Sequence, residues 1–405
     1  MYPTIYHAVK DLFGLELPFL KILQSFGFFV AIAFLVAGYF FAFELKRKEK
    51  EGLVHSTLRK VMKGEAATQS ELVTNGIFGF LLGYKLVGFI WDYSSLSGNP
   101  REYMLSIQGS VVGGLIAGAL FTWLKYKEKE KYRLPEPKLT EVPYHPYEHV
   151  GNMTLVAAVA GLLGAKLFHI LENLPDFVAD PFGMIFSFSG LTMYGGLIVG
   201  GLSVIYYARK NGLKFEHVID SCAPGLMLAY AIGRIGCHVA GDGDWGIPHT
   251  APKPGWLSFL PDWIWSYNYP NNVNQECNPY IQGTAEHVNC HCNWADTPYL
   301  VARVFPTAFY ETVVCLGLFF LLWSLRKRIH IPGVLFSVYL LMNGVERFFI
   351  EQIRENTVLF KLGSYTVTQA MFIAVCLFLL GLLGLIYFRN KYKKAPPLSH
   401  EQHQS

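Results

Sequence analysis

Arg234 stands in an apolar, glycine-rich stretch long enough to be a membrane helix, and an acidic, glycine-rich loop follows it. An arginine at the centre of a bilayer costs about 2.5–3.5 kcal/mol on insertion scales. A guanidinium binds phosphate through two parallel hydrogen bonds and stays charged at any accessible pH. We therefore predict an anion site at Arg234. A buried ion pair with a neighbouring acid is the alternative.

A second stretch, residues 343–354, carries charges on a predicted membrane helix. Arg347, Glu351 and Arg354 fall at positions i, i+4 and i+7, which form one stripe of a helix. Glu351 could simply neutralise both arginines. Two intramembrane arginines on different helices suit a phosphodiester better than they suit packing, so we predict that Arg234 and Arg347 bind one together.

Other polar residues could complete such a site, although each also has a structural interpretation. Asp242 and Asp244 could position a substrate amide or hydroxyl, or they could only turn the chain. His169 and His238 lie near helix ends, where a structural histidine is the commoner outcome. Glu311, at the start of an apolar span, is as consistent with an interfacial anchor as with a ligand.

The composition is that of a membrane protein, because 52% of the 405 residues are hydrophobic and only 16% are charged. Soluble domains carry about 25% charged residues. We predict an all-α, polytopic protein with about nine transmembrane helices and no nucleic-acid partner. The spans are expected near residues 20–44, 72–92, 106–124, 150–170, 191–208, 217–238, 307–325, 333–352 and 367–388.

Basic residues are concentrated in alternate loops, at 46–63, 125–138, 209–214, 326–328 and 389–394. Loops rich in lysine and arginine stay on the cytoplasmic side of the membrane. This pattern predicts an external N-terminus and a cytoplasmic C-terminus. It also places the long loop 239–306 outside.

Three cysteines, Cys277, Cys290 and Cys292, lie in that outer loop, where the environment is oxidising. We predict one disulfide among them. A zinc site that uses His287 or His291 is the alternative, since three cysteines cannot all pair within one chain. Otherwise we expect neither a resident metal nor a cofactor.

An internal repeat with an offset of about 81 residues relates two predicted helical hairpins. Residues 79–86 resemble 160–167, and residues 113–118 resemble 195–200. The second copy carries the polar residues, and its Gly195 and Gly196 could admit either a neighbouring helix or a ligand. We expect four regions: a first span and basic loop at 1–71, an extra hairpin at 72–145, a membrane core at 146–388, and a basic tail at 389–405.

Four segments together resemble the prolipoprotein diacylglyceryl transferase family: residues 164–173, 189–198, 233–246, and 306–311 with 346–354. The resemblance implies a bacterial inner-membrane enzyme whose site opens to the outer leaflet. Such an enzyme moves a diacylglyceryl group from phosphatidylglycerol to the lipobox cysteine thiol of a prolipoprotein. The implied partners are therefore that lipid, the precursor protein and the bilayer.

The resemblance also implies roles for individual residues. Arg234 and Arg347 align with two arginines of the family, which would hold the phosphate and neutralise charge as glycerol phosphate departs. We assign catalysis to these arginines, Tyr194 and Glu351. The predicted substrate-binding residues are Arg234, Gly195, Gly196, Asp242, Asp244, His169, His238 and Arg354.

The sequence departs from the family pattern in ways that affect the chemistry. Many members have histidine before the paired glycines, where Tyr194 stands here. Because tyrosine has a pKa near 10, it is a poor base at neutral pH, and His238 or His169 could take the proton instead. In addition, Phe26 replaces a usual tyrosine, the pattern before Glu311 is degraded, and the hairpin at 72–145 is extra.

Two other functions remain open at this level. A relative that binds or flips phospholipid without transfer would keep the arginines and lose the histidine. A transporter would account for the repeated hairpin and the broken glycine-rich helices. It should show paired broken helices in both copies, whereas the charged residues here are concentrated in one.

Overall fold

The computed structural model describes residues 1–91, 103, 106–187, 192–279, 293, 295–356, 358–362 and 365–393. Cys290, Cys292, His287, His291 and the tail beyond residue 393 lie outside the described residues. The chain forms two compact units. The larger comprises Met1, Phe29–Thr57 and His145–Ser405, and the smaller comprises Tyr2–Phe28 and Leu58–Tyr144.

The chain is mostly helical, as the sequence predicts. The described helices up to residue 186 are Ile5–Phe13 (α1), Ser25–Lys50 (α2), Gln69–Trp91 (α3), Val111–Lys131 (α4), His149–Glu172 (α5), Leu174–Ala179 (α6) and Pro181–Phe186 (α7). Those that follow are Met193–Lys210 (α8), Phe215–Ala240 (α9), Asp262–Trp265 (α10), Thr307–Leu325 (α11), Val334–Ile350 (α12) and Gln369–Lys393 (α13).

Four short strands and three 3-10 turns complete the described secondary structure. Thr57–Lys63 (β1) pairs with Lys138–Tyr144 (β2), and Val358–Leu362 (β3) pairs antiparallel with Tyr365–Thr368 (β4). The turns are Pro18–Ile22, Pro146–Glu148 and Gly255–Leu257. The β3–β4 hairpin leads directly into α13.

Six of the described helices are long and apolar enough to cross a membrane: α2, α3, α5 with the turn before it, α9, α11 and α13. These candidate spans agree with the predicted polytopic helical membrane protein. Three further predicted spans coincide with α4, α8 and α12. Of these, α4 and α8 end in basic residues and α12 has 17 residues, so the total of nine spans stays a prediction.

Each unit contains one of the two repeated hairpins. In the smaller unit α3 packs against α4, and a Cβ added to Gly83 would lie 2.4 Å from the carbonyl oxygen of Gly113. In the larger unit α5 packs against α8, and a Cβ added to Gly164 would lie 2.6 Å from the carbonyl oxygen of Gly195. Backbones this close require glycine. The two hairpins therefore share the glycine contact that the sequence repeat indicates.

The repeated lysine of each hairpin is also used in the same way. Lys85 donates hydrogen bonds from Nζ to the carbonyl oxygens of Tyr103 and Gln108, both at 3.0 Å. Lys166 donates from Nζ to the carbonyl oxygen of Ser187 at 2.9 Å and to its hydroxyl at 2.8 Å. In both hairpins the connecting segment thus satisfies an ammonium group that the first helix carries.

Helix α9 lies at the centre of the larger unit. In its most apolar stretch of 18 residues, 56% of the residues are buried, whereas the share is 11–33% in the other five candidate spans. It packs against α11 and α12 through a core of Met227, Ala231, Cys315, Phe319, Leu322 and Leu335. Because this helix also carries Arg234, the arginine is enclosed on several sides.

The long segment between α9 and α11 is bound to the chain that follows α12. The amide of Gly246 donates to the carbonyl of Phe305 at 2.8 Å, and the amide of Ile247 donates to the carbonyl of Ile353 at 2.9 Å. Asp244 is thereby held between the end of α9 and the chain after α12. Cys277 in this segment is disulfide-bonded, which agrees with the predicted disulfide; Cys290 and Cys292 lie outside the described residues.

The glycine contact between α5 and α8 predicts a position-specific loss of stability. We expect Gly164→Ala to lower the free energy of unfolding by about 1–3 kcal/mol, because the new methyl group would overlap the facing backbone and Val199. Gly151→Ala is the matched control on the same helix, where a Cβ meets no atom within 4 Å. Thermal unfolding in detergent checks both variants. Equal melting temperatures would contradict the contact.

Candidate active site

The carboxylate of Glu311 is the centre of a buried ion cluster. Glu311 is fully buried near the start of α11. Its Oε2 lies 3.0 Å from Nε of Arg234, and its Oε1 lies 2.8 Å from a terminal nitrogen of Arg347. A terminal nitrogen of Arg354 lies 3.6 Å from the same Oε1. One carboxylate therefore joins three guanidiniums from different parts of the chain.

Helix α9 supplies two groups to this cluster one turn apart. The hydroxyl of Tyr230 donates a hydrogen bond to Oε1 of Glu311 at 3.1 Å. The guanidinium of Arg234 lies over the ring of Tyr230, 5.1 Å from its centroid. Residues four apart lie on the same face of a helix, so one face of α9 contacts both oxygens of the Glu311 carboxylate.

Asp244 forms a second bridge between guanidiniums. Its two carboxylate oxygens pair with Arg234 and Arg354, respectively. The loop that carries it begins with Gly241 at φ 65° and contains Gly243 at φ 94°, which are left-handed conformations suited to glycine. Thr307 donates from its hydroxyl to the main-chain carbonyl of Asp244 at 2.7 Å. The Asp244 side chain keeps 27% of its surface exposed.

Glu351 orients Arg347 from the other side. Its Oε2 lies 3.3 Å from a terminal nitrogen of Arg347. Its Oε1 accepts hydrogen bonds from Asn356 and from the hydroxyl of Thr368, both at 2.7 Å. The Thr368 hydroxyl also accepts from the amide of Met371 at 3.2 Å, in the first turn of α13. The last helix is thus connected to the ion cluster through one side chain.

The ion pairs match three arginines with three carboxylates. Arg234, Arg347 and Arg354 are paired with Glu311, Asp244 and Glu351. Buried ions are stable only when they are paired and hydrogen-bonded. The arrangement therefore combines both interpretations of the sequence: the arginines converge as an anion site requires, and carboxylates occupy them.

Arg354 still has unused donors. Its Nε and one terminal nitrogen are buried without a hydrogen-bond partner among the described residues. Burial, with the charge of nearby Arg234, lowers the pKa of the Arg354 guanidinium to about 10. A further anion beside these donors would offset both effects.

Glu346 is a fourth acidic side chain beside the cluster. It is 8% exposed, and neither of its carboxylate oxygens has a hydrogen bond or an ion pair in the described part of the chain. Together with Glu311 it lines a cavity of about 490 Å³ between α11 and α12. The remaining lining is apolar: Val314, Leu318, Leu341, Met342, Val345, Phe349 and Ile350.

The structure brings together most of the predicted charged residues. Arg234, Arg347, Glu351, Arg354 and Asp244 all belong to the cluster. Asp242 lies beside it, because its Oδ1 accepts the amide of Asp244 at 3.3 Å.

The two predicted histidines have other surroundings. The Nδ1 of His238 lies 3.2 Å from the hydroxyl of Tyr269, and its ring centroid is 5.5 Å from that of Trp263 and 5.9 Å from that of Phe309. The Nδ1 of His169 lies 3.2 Å from the side-chain amide nitrogen of Asn173. Neither histidine forms a described contact with the arginine cluster.

Tyr194, Gly195 and Gly196 lie in the first turn of α8. Gly195 and Gly196 face α5, where a Cβ would lie 2.5 Å from the carbonyl oxygen of Gly164 and 3.1 Å from that of Gly161, respectively. The hydroxyl of Tyr194 has no hydrogen bond to the described residues. The two glycines therefore belong to the hairpin contact, and no described contact joins any of the three residues to the cluster.

Sequence reasoning missed the central carboxylate and the unpaired one. Glu311 is not among the predicted site residues, although its place one turn inside an apolar helix was a usable signal. Glu346 carried a weaker signal, since a charge directly before Arg347 is equally typical of an ion pair. Tyr310, the neighbour of Glu311, instead donates a hydrogen bond from its hydroxyl to the carbonyl of Ile264 at 2.7 Å.

Cys237, Asp242 and Asp244 form a group that distances alone would allow to hold a metal, since their ligand atoms lie within 4.8 Å of one another. The chemistry of the group argues against a cation. Asp244 is already paired with two guanidiniums, and a terminal nitrogen of Arg234 lies 3.8 Å from Sγ of Cys237. Positive neighbours repel a metal ion.

The part of the chain that contains the ion cluster matches a known protein family. Residues 131–387 match the sequence model of the family described as prolipoprotein diacylglyceryl transferase. The chain belongs to that family. The matched region contains the whole ion cluster, and most of the extra hairpin predicted at 72–145 precedes it.

Three similar proteins all carry the name phosphatidylglycerol–prolipoprotein diacylglyceryl transferase. The one from Clostridium tetani (strain Massachusetts / E88) is 28% identical over 208 residues, covering 51% of this chain and 69% of that protein. The one from Clostridium botulinum (strain Langeland / NCTC 10281 / Type F) is 28% identical over 248 residues, which cover 60% of this chain and 80% of that protein. The one from Cutibacterium acnes (strain DSM 16379 / KPA171202) is 26% identical over 252 residues, which cover 61% of this chain and 73% of that protein.

The central role of Glu311 predicts a large effect of its neutralisation. We expect Glu311→Gln to lower the free energy of unfolding by about 3–5 kcal/mol, because three buried guanidiniums would lose their shared partner. Glu172→Gln is the control, since Glu172 is exposed and accepts only one described hydrogen bond, from Thr192. Denaturant unfolding in mixed micelles measures the difference. A loss below about 1 kcal/mol would contradict the shared-carboxylate arrangement.

Proposed function

We propose that this protein transfers the diacylglyceryl group of phosphatidylglycerol to the lipobox cysteine thiol of prolipoproteins. The products are a thioether and glycerol phosphate. Membership of the family and the names of the similar proteins support this activity. The observation that carries it is the convergence of three arginines on one buried carboxylate beside an apolar cavity.

The phosphodiester would bind where the Asp244 carboxylate now lies. Asp244 bridges Arg234 and Arg354 as a phosphate with two free oxygens would. It is also the most exposed of the three paired carboxylates, on a loop with two left-handed glycines. When the lipid displaces it, Asp242 and Asp244 become available to the hydroxyls of the glycerol headgroup.

The reaction breaks the bond between the glyceryl carbon and the phosphate oxygen. The thiol sulfur forms the new carbon–sulfur bond, and the electron pair of the broken bond goes to the departing phosphate. Fixed guanidiniums stabilise charge as it develops there. We assign this task to Arg234 and Arg347, with Glu351 orienting Arg347. Tyr194 remains a proposed contact of the glycerol or phosphate.

We further propose nine membrane crossings, an external N-terminus and a cytoplasmic tail in the bacterial inner membrane. Basic residues in the last turns of α2, α4, α8 and α13 support this orientation. The cluster then faces the outer leaflet. The division into a first span and loop (1–71), an extra hairpin (72–145), a transferase core (146–388) and a tail (389–405) belongs to the same proposal.

A lipid-binding or flipping protein without transfer is the second candidate. The observation that favours it is Tyr194, which replaces a histidine of the family pattern and whose hydroxyl lacks a partner among the described residues. Incubation with radiolabelled phosphatidylglycerol and a lipobox peptide distinguishes the two. Lipid binding without thioether formation would favour the second candidate.

Arg234 should be indispensable for transfer. We expect Arg234→Ala to reduce label transfer to below about one hundredth of the parent rate, because the developing phosphate charge loses a fixed donor. Arg209→Ala is the control, since Arg209 is exposed at the end of α8, with the Cζ of its guanidinium 4.6 Å from the ring centroid of Phe215. Membrane insertion should be equal in both. An active Arg234→Ala protein would refute the phosphate site.

Asp244 should compete with the lipid phosphate. We expect Asp244→Asn to bind phosphatidylglycerol about three- to tenfold more tightly, because the amide keeps polar contacts but removes the internal anion. Asp262→Asn is the control, since the Asp262 side chain is 77% exposed and pairs with Lys253. Binding to the full-length protein in nanodiscs gives both affinities. Weaker binding by Asp244→Asn would show that its charge serves the lipid directly.

A further inference from the structure

Glu346 differs from the three carboxylates of the ion cluster in having no cation. Glu311, Asp244 and Glu351 each form ion pairs with arginine, whereas Glu346 forms none within the described residues. It nevertheless interacts electrostatically with Glu311, Arg347 and Arg234. An unpaired carboxylate is costly to bury in a membrane protein, so one that is kept beside a site indicates a function.

The position of Glu346 gives it access to a substrate. It lines the cavity between α11 and α12, which it shares with Glu311. The α12 lining runs from Leu341 to Ile350, a rise of about 14 Å at 1.5 Å per residue. This length equals roughly half of a 30 Å hydrocarbon core. A lipid of one leaflet could therefore occupy the cavity with its glyceryl region near the carboxylates.

The transfer reaction needs a proton acceptor, and of the two described acids that line the cavity Glu346 is the one with neither oxygen hydrogen-bonded or ion-paired. A thiol with a pKa near 8.5 is only a few per cent ionised at neutral pH. His238 is enclosed by aromatic rings, and His169 is bound to Asn173. The oxygens of Glu351 are occupied by Arg347 and two hydrogen bonds.

We propose that Glu346 accepts the proton of the prolipoprotein thiol. This inference rests on the proposed transferase function. The S–H bond breaks and its proton goes to a Glu346 oxygen, while the sulfur lone pair forms the bond to the glyceryl carbon. The carbon–oxygen bond to phosphate breaks, and its electrons leave with glycerol phosphate. Glu346 then returns the proton to that phosphate or to water.

The same step balances the charge of the site. In the reactive form that we propose, Glu346 is ionised and the cavity also holds the phosphodiester anion. During transfer the leaving phosphate gains one negative charge as Glu346 loses one. The local charge beside Arg347 therefore stays constant, which avoids creating an additional buried charge in a medium of low dielectric constant.

The test compares pH profiles of transfer in full-length protein reconstituted with phosphatidylglycerol and a lipobox peptide. We expect Glu346→Gln to lose about 10²–10⁴-fold in rate at pH 7. Its rate should then rise about tenfold per pH unit toward the thiol pKa near 8.5, because the thiol ionises in solution. The parent should show a flatter profile. Glu172→Gln, an exposed substitution on α5, should match the parent.

Glu346→Asp and lipid binding separate catalysis from folding. Glu346→Asp should keep the parent pH profile at a reduced rate, and Glu346→Gln should bind phosphatidylglycerol as the parent does. An equal loss for Glu346→Gln at every pH would overturn the proposal and assign Glu346 to a headgroup hydroxyl. If Glu346→Gln does not fold, a Glu346→Asp profile as steep as the one expected for Glu346→Gln would overturn it as well. Absence of transfer by the parent protein would instead refute the proposed function, and the inference with it.

Discussion

The site depends on one interaction, the sharing of the Glu311 carboxylate among three guanidiniums in a water-poor interior. At low dielectric constant an isolated arginine or glutamate would be prohibitively costly, and each makes the others possible. The partners come from α9, from α12 and from the chain after α12. Their attraction therefore fixes how these segments pack as well as where an anion could bind. Stability and chemistry are consequently difficult to separate at this position.

Much of the arrangement was accessible from the sequence. Arg347 and Glu351 pair as their i, i+4 spacing predicts, whereas Arg354 lies beyond the end of α12, so the predicted helical stripe does not extend to it. The repeat between the hairpins also translated directly into structure, because Gly83 and Gly164 are the positions where each backbone approaches its neighbour. Regular elements with a fixed periodicity convert spacing into geometry. This is why the helices and the pairing of Arg347 with Glu351 were predictable.

The remainder depended on tertiary packing, which spacing does not encode. Glu311 at the start of an apolar span would look the same in sequence whether it faced the membrane surface or the protein interior. His238 lies four residues after Arg234, and yet its ring meets Tyr269 in the long irregular segment. Without a period in that segment, no pattern could show which side chains it would cover. The pairing of Asp244 with Arg354 likewise depends on how the chain after α12 returns.

The hydroxyl of Thr368 has a mechanical consequence. It accepts a hydrogen bond from the first turn of α13 and donates one to Glu351. It therefore connects this helix to the ion cluster. A sideways displacement of α13, as when a lipid enters between helices, would weaken the hydrogen bond from Thr368 to Glu351. Arg347 would then be held less firmly. Through this one hydroxyl, the position of α13 and the orientation of Arg347 are linked.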